Sequence, residues 1–138
     1  MTAGVDLSPK AQAIGSDEDV VRVRQLVRTV AVAVKLSLVD QTKLVTAASE
    51  LARNTLVYGG GGTAEVTVVD DGRRRGVRIV FADAGPGIPD LTLALTDGYT
   101  TGGGLGLGLS GARRLVDEFD VDTAVGEGTR VTVTKWSR

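Results

Sequence analysis

The stretch Phe81-Ala82-Asp83-Ala84-Gly85-Pro86-Gly87-Ile88-Pro89, followed by Thr100-Thr101-Gly102-Gly103-Gly104-Leu105-Gly106-Leu107-Gly108-Leu109, decides how the chain is read. The apolar run Val77 to Phe81 has the character of a buried strand. It delivers Asp83 into a loop whose glycines, Gly85 and Gly87, let backbone come close to something flat. Leu109, Ala112, Leu115, Val116 and Phe119 then recur at helical spacing, so the second glycine cluster opens a third long helix. Free N–H groups and the positive dipole end converge at such a terminus and suit an anionic group such as a phosphate. One acid for a base and glycines for phosphates describe a nucleotide site.

Working outward, Lys10 to Ile14 suits a short edge strand behind an aperiodic tail at Met1 to Pro9. Ser16 is an N-cap with Asp17, Glu18 and Asp19 on the helix dipole, and Val20, Val23, Val27, Val30 and Val34 follow at helical intervals. A helix over about Asp17 to Leu36 is expected. The β-branched run Thr29 to Val34 suits a strand by propensity, but the cap and the unbroken spacing favour the helix. Asp40 opens a second helix with Leu44, Ala48, Leu51, Thr55 and Tyr58 on one face. Gly59 to Gly62 ends it and reads as a flexible hinge. Thr63 to Val69 alternates, Asp71-Gly72 turns the chain, and Gly76 to Phe81 returns it as a hairpin. Arg73-Arg74-Arg75 at its tip reads as a solvated loop, with a patch for an acidic partner as the alternative. A weak helical turn between Pro89 and Thr100 is placed to close over a ligand. Val121 to Val125, the turn Gly126-Glu127-Gly128 and Thr129 to Trp136 form a last hairpin. Helices interspersed with antiparallel pairs make the class α+β, with one domain over residues 10 to 138.

Composition narrows the chemistry. Sixteen basic and seventeen acidic residues leave a net charge of -1, which offers no field for nucleic acid or an acidic membrane. Without cysteine or histidine the chain has no thiol nucleophile and no imidazole, so carboxylates must move any proton. Met1 to Pro9 show neither a basic start followed by an apolar core nor a cleavage pattern, and no apolar run approaches the ~20 residues that span a bilayer, so a soluble, cytoplasmic protein without membrane partners is expected. Gly106 to Gly111 fits G-x-G-x-x-G, but a Gly/Thr loop precedes it instead of a strand, which argues against a dinucleotide fold. Lys10, Lys35, Lys43 and Lys135 all lie outside the glycine clusters, so there is no P-loop. Glu50 and Asn54, four residues apart on the second helix, share one face at the flank of its apolar stripe and can look into a common cleft.

The order Glu50 to Asn54, Asp83 to Gly87, Gly102 to Gly108 and Gly126 to Thr129 resembles the Bergerat ATP-binding fold of the gyrase, Hsp90, histidine-kinase and MutL superfamily. That resemblance implies a two-layer sandwich, a mixed and mostly antiparallel sheet with three helices on one face. It implies ATP and Mg²⁺ as cofactors. Asp83 would accept from the adenine amino group, Asn54 would ligate Mg²⁺ and Glu50 would act on the attacking nucleophile. Gly85 and Gly87 would border the base, Thr101, Gly102, Gly103, Gly104, Leu105, Gly106, Leu107 and Gly108 would wrap the phosphates, and Thr129 would support the adenine end. Ala84 departs from the pattern, standing where an amide side chain is frequent.

More closely, Glu50 to Asn54, Asp83 to Asp90, Asp97 to Gly106, Asp117-Glu118-Phe119 and Lys135-Trp136 resemble the RsbT-type switch serine/threonine kinases of bacterial partner-switching, or stressosome, modules. Such a kinase is expected to phosphorylate STAS-domain antagonist and scaffold proteins and then to activate a PP2C-type phosphatase. The first alternative is an anti-sigma factor of the same fold, which sequesters a sigma factor and phosphorylates its antagonist. Those relatives commonly carry a histidine just after the asparagine, where this chain has Val57-Tyr58-Gly59. The second alternative is a nucleotide-dependent binding module without catalysis, against which Glu50 speaks.

Overall fold

A computed structural model describes residues 8–88, 95 and 108–138. The tail at Met1 to Leu7, the turn expected between Pro89 and Thr100 apart from Leu95, and the residues Thr101 to Leu107, expected to wrap the phosphates, lie outside the described residues.

Strand β1 (Lys10–Ile14) leads to α1 (Asp17–Ala33), α2 (Leu38–Val57), the hairpin β2 (Gly62–Asp70) and β3 (Arg75–Asp83), a short α3 (Gly108–Arg114), and the hairpin β4 (Glu118–Ala124) and β5 (Gly128–Trp136). The strands form one sheet in the order β1-β2-β3-β5-β4, with all four ladders antiparallel. Among the described residues three helices and this sheet make the expected α+β sandwich.

Both long helices begin on serine caps. Ser16 Oγ accepts the Asp19 N–H, and Asp19 in turn accepts the Gly15 N–H at 2.9 Å, so two orphan amides are satisfied reciprocally. Ser37, not Asp40, caps α2, which starts two residues before Asp40; Asp40 donates its N–H to Ser37 Oγ at 3.1 Å. The first helix stops at Ala33 instead of Leu36, because Lys35 adopts a left-handed φ of 65°. Lys35 and Leu36 then donate back to Val32 and Ala31, which turns the chain sharply and buries Leu36.

Alternation along β3 sends Val77, Ile79 and Phe81 into the helices, where they meet Val23 and Val27 of α1 and Leu44, Ala48 and Leu51 of α2 in one core. On the opposite face Trp136 is covered by the Arg74 guanidinium, 4.7 Å from its ring, and donates Nε1–H to Glu118 at 2.7 Å. Arg74 also pairs with Asp71 and Arg75 with Asp70, so two cations of the arginine run are neutralised within their own turn. The solvated-loop reading describes them better than an acidic-partner patch.

The third helix is far shorter than the spacing of Leu115, Val116 and Phe119 suggests. Asp117 donates its backbone N–H to Thr134 and its carboxylate accepts the Trp136 N–H at 2.8 Å, which starts a strand there and pairs Phe119 with Val133. Sheet pairing overrides a helical period that is only apolar spacing. The same carboxylate lies 3.4 Å from Lys135 Nζ, whose side chain is 6% exposed and also meets Asp40 of α2 at 3.6 Å. Arg138 closes the network on both acids. Among the described residues no helix is long and apolar enough to cross a membrane.

Burial alone would raise the Asp117 pKa, but the Trp136 N–H, Lys135 and Arg138 outweigh it and hold the group below the usual carboxylate value. A depressed folded-state pKa contributes stability above the unfolded value and loses it as pH falls through the folded one. Asp117→Ala is therefore expected to lower unfolding free energy by about 1–3 kcal/mol at neutral pH. In urea titrations the difference from wild type should shrink below roughly pH 4. An equally stable variant at pH 7 would show that the network contributes nothing.

Candidate functional site

The register of the sheet sets one row of residues across its whole width: Ile14, Gly62, Asp83, Thr129 and Thr123 are successive cross-strand partners. Asp83 is thus the last paired residue of β3, held by the ladder, and not a loop residue as the glycine pattern suggests. It shares parity with Phe81 and Ile79, so its side chain emerges on the helix side of the sheet, just beyond the core. A carboxylate at that position is rigidly aimed.

Its surroundings explain the glycines. Asp83 Oδ1 accepts the Gly85 N–H at 2.9 Å, an Asx-type turn that starts the loop. A Cβ on Gly59 would lie 2.4 Å from Asp83 Cγ, and one on Gly85 would lie 2.8 Å from the Gly59 backbone. Gly128, at φ +93°, would place a Cβ 2.1 Å from the Asp83 carbonyl. Three glycines therefore close around one acid, which leaves the backbone itself as the wall of the site. Gly87 is packed as tightly on Ala124, and the Gly126 N–H donates to the Pro86 carbonyl at 2.8 Å. The loop is strapped to the β4–β5 turn.

The cluster Gly59 to Gly62 is not a flexible hinge. Gly59 packs on Asp83, Gly60 and Gly61 take φ of 74° and 103° to make the turn, and Gly62 sits against Thr55 and the Ala82 carbonyl. Asn54 supplies the carbonyl that accepts both the Tyr58 and the Gly59 N–H groups. The turn of α2 carrying Asn54, with Glu50 one turn earlier, thereby ends on Asp83. Glu50 and Asn54 are both half-buried. A polar hollow at this end of the sheet is lined by Asp83, Thr123 and Thr129 and also by the charged Asp122, Glu127 and Arg130.

Among the described residues no three ligating acids gather, so nothing there forms an all-protein cage for a cation. The amide oxygen of Asn54 is the kind of hard ligand that holds Mg²⁺ together with phosphate oxygens and water, and it fits that lesser task. Gly108, at φ 68°, opens α3, and the phosphate-loop residues expected before it lie outside the described residues. Thr123, which the sequence reading passed over, joins the site through its hydroxyl: it is 2.9 Å from Thr129 Oγ1 and accepts the Ile88 N–H at 2.9 Å. Its only sequence signal was a threonine six residues before Thr129 in the same hairpin.

Residues 39–137 match the model of the histidine kinase-, DNA gyrase B- and HSP90-like ATPase family. The chain is 45% identical over 125 residues to the serine/threonine-protein kinase RsbT of Bacillus subtilis (strain 168), covering 91% of this chain and 94% of that one. Among solved structures, it aligns with that of the RsbU and RsbW domains of Rv1364c from Mycobacterium tuberculosis at a TM-score of 0.66 and 22% identity. That match covers 95% of this chain and a third of the other (33%), and it speaks for the fold alone.

The contact between Gly59 and Asp83 yields a direct expectation. Gly59→Ala forces either α2 or the carboxylate to move, at about 1–3 kcal/mol of stability. ATP affinity measured by calorimetry should fall with it, whereas Gly72→Ala, in an open turn far from Asp83, should leave affinity unchanged. Full ATP affinity in Gly59→Ala would mean that the packing does not set the site.

Proposed function

Because the chain belongs to the histidine kinase-, DNA gyrase B- and HSP90-like ATPase family and is an ATP-using serine/threonine-protein kinase related to RsbT, we propose that it is a cytoplasmic switch kinase of a partner-switching module. Its substrates are serine or threonine hydroxyls on STAS-domain antagonist and scaffold proteins. Once these are phosphorylated and release it, the kinase activates a PP2C-type phosphatase. The single observation that carries the site assignment is Asp83, aimed by the ladder and walled by Gly59, Gly85 and Gly128. With Oδ1 engaged by the Gly85 N–H, Oδ2 is the oxygen that would receive the exocyclic amine of adenine.

Bound Mg-ATP supplies the transferable phosphoryl group and the charge neutralisation that it needs. The residues of this chain do the rest. Asp83 and Thr129 orient the base, Gly85 and Gly87 let it approach backbone, and Asn54 offers its amide oxygen to the cation. The glycine-rich stretch Thr101 to Gly108, of which only Gly108 is among the described residues, would hold the phosphates. Glu50 orients the incoming hydroxyl and takes its proton as the new O–P bond forms and the bond to the β-phosphate oxygen breaks. The transition state for such transfer is loose, so orientation carries as much of the effect as basicity. The identity to RsbT supports this reading over an anti-sigma factor of the same fold.

The test uses γ-labelled ATP and the STAS-domain proteins encoded nearby. Wild type should label at least one of them. Glu50→Gln should bind Mg-ATP and partner as before and transfer label at least ~10²-fold more slowly. It should also accumulate the kinase–substrate complex that wild type dissolves. If wild type labels no STAS-domain protein, the chain is a nucleotide-dependent binding module instead.

A further inference from the structure

Thr123 lies on β4 directly opposite Thr129, on the helix side of the sheet with Phe119 and Val121. Three groups surround its hydroxyl. The Ile88 N–H is 2.9 Å away, the Gly128 carbonyl 3.1 Å and Thr129 Oγ1 2.9 Å. A hydroxyl has one proton to give and two lone pairs. The amide only donates and the carbonyl only accepts, so a single arrangement satisfies all three contacts: Thr123 gives its proton to Gly128 and accepts from both Ile88 and Thr129. The Thr129 proton is thereby consumed. What Thr129 has left for the hollow beside Asp83 is lone pairs.

We propose that Thr123 is a positioning and specificity-determining residue that fixes Thr129 as a hydrogen-bond acceptor, so that Asp83 and Thr129 together present acceptors to the base. The inference rests on the proposed seat of the base at Asp83. Adenine offers an amino group at its six-position, a donor that both Asp83 and Thr129 can meet directly or through water. Guanine offers a carbonyl at that atom, and a carbonyl facing two acceptors has no partner. Polarity set by Thr123 thus separates ATP from GTP without any residue touching guanine.

A merely structural Thr123 would tie the loop at Ile88 to the hairpin and nothing more. Its loss would then lower affinity for both nucleotides in parallel. Thr123→Val keeps shape and β-branching but neither donates nor accepts, and it frees the Thr129 proton to swing into the hollow. Calorimetry of the full chain with Mg-ATP and Mg-GTP should show ATP affinity reduced about 5–20-fold, with the ATP/GTP ratio reduced at least about 5-fold. Thr123→Ser, which retains the hydroxyl, should restore the wild-type ratio to within about 2-fold. Equal losses for both nucleotides, an unchanged ATP affinity, or a serine variant with an altered ratio would each overturn the proposal. If the valine variant does not fold, Thr123→Ala and the serine variant carry the same comparison. Asp83→Asn distinguishes failure of the base seat from failure of the Thr123 role. If it leaves ATP affinity intact, the base does not sit at Asp83 and the site reading fails. If it weakens ATP while Thr123→Val leaves the ratio unchanged, only the role of Thr123 is lost.

Discussion

The backbone contact between Gly59 and the side chain of Asp83 is the constraint on which the rest of the molecule depends. With no Cβ at Gly59, the C-terminal end of α2 lies directly against the acid that ends β3, and two separate layers of the sandwich meet at one point. Everything proposed for the site uses that junction. Glu50 and Asn54 belong to the helix side of it, Asp83, Thr129 and Thr123 to the sheet side. A side chain as small as a methyl group at position 59 would wedge them apart. The proposed site is therefore a property of close packing, in which its wall is made of backbone and the polar groups stand at fixed register positions.

The opposite end of the sheet holds the complementary restraint. Lys135 on β5 reaches the Asp40 carboxylate in the first turn of α2 and the Asp117 carboxylate before β4, and Arg138 bridges both. A buried cation of this kind contributes little net stability over an apolar residue, but losing one of its partners is costly. What it supplies is registration. It pins the N-terminal end of the helix whose other end carries the proposed catalytic acid, and it fastens the C-terminal strand that carries Thr129. The helix is thus located at both ends, by charge at one and by van der Waals contact at the other.

Much of this was legible from residues alone, and the errors have a common cause. Ser16 with three acids after it announced α1, and the alternation around Asp71-Gly72 announced the central hairpin, because caps and turns are local. The third helix was drawn too long, since Leu115, Val116 and Phe119 keep a helical period that says nothing of the Asp117 and Phe119 pairings with the last strand. The end of α1 was missed because a lysine, not a glycine, takes the left-handed position at Lys35. Gly59 to Gly62 looked like a hinge, for a glycine needed by close approach and one left for flexibility are the same letter. Thr123 was invisible for a related reason: its role lies in three partners brought from Ile88, Gly128 and Thr129 by the fold. The motifs around Glu50, Asn54 and Asp83 pointed to the ATP-binding superfamily, and residues 39–137 match its histidine kinase-, DNA gyrase B- and HSP90-like ATPase model.

The central claim is that the base of ATP is read at Asp83, at the meeting of α2 and β3. A crystal structure with Mg²⁺ and a non-hydrolysable ATP analogue measures it most directly. The exocyclic amine of adenine is expected within about 2.7–3.2 Å of an Asp83 carboxylate oxygen or of a water bridging to it. Asn54 is expected in the coordination sphere of the cation. An adenine ring seated away from Asp83, with its amine bonded to other groups, would contradict it.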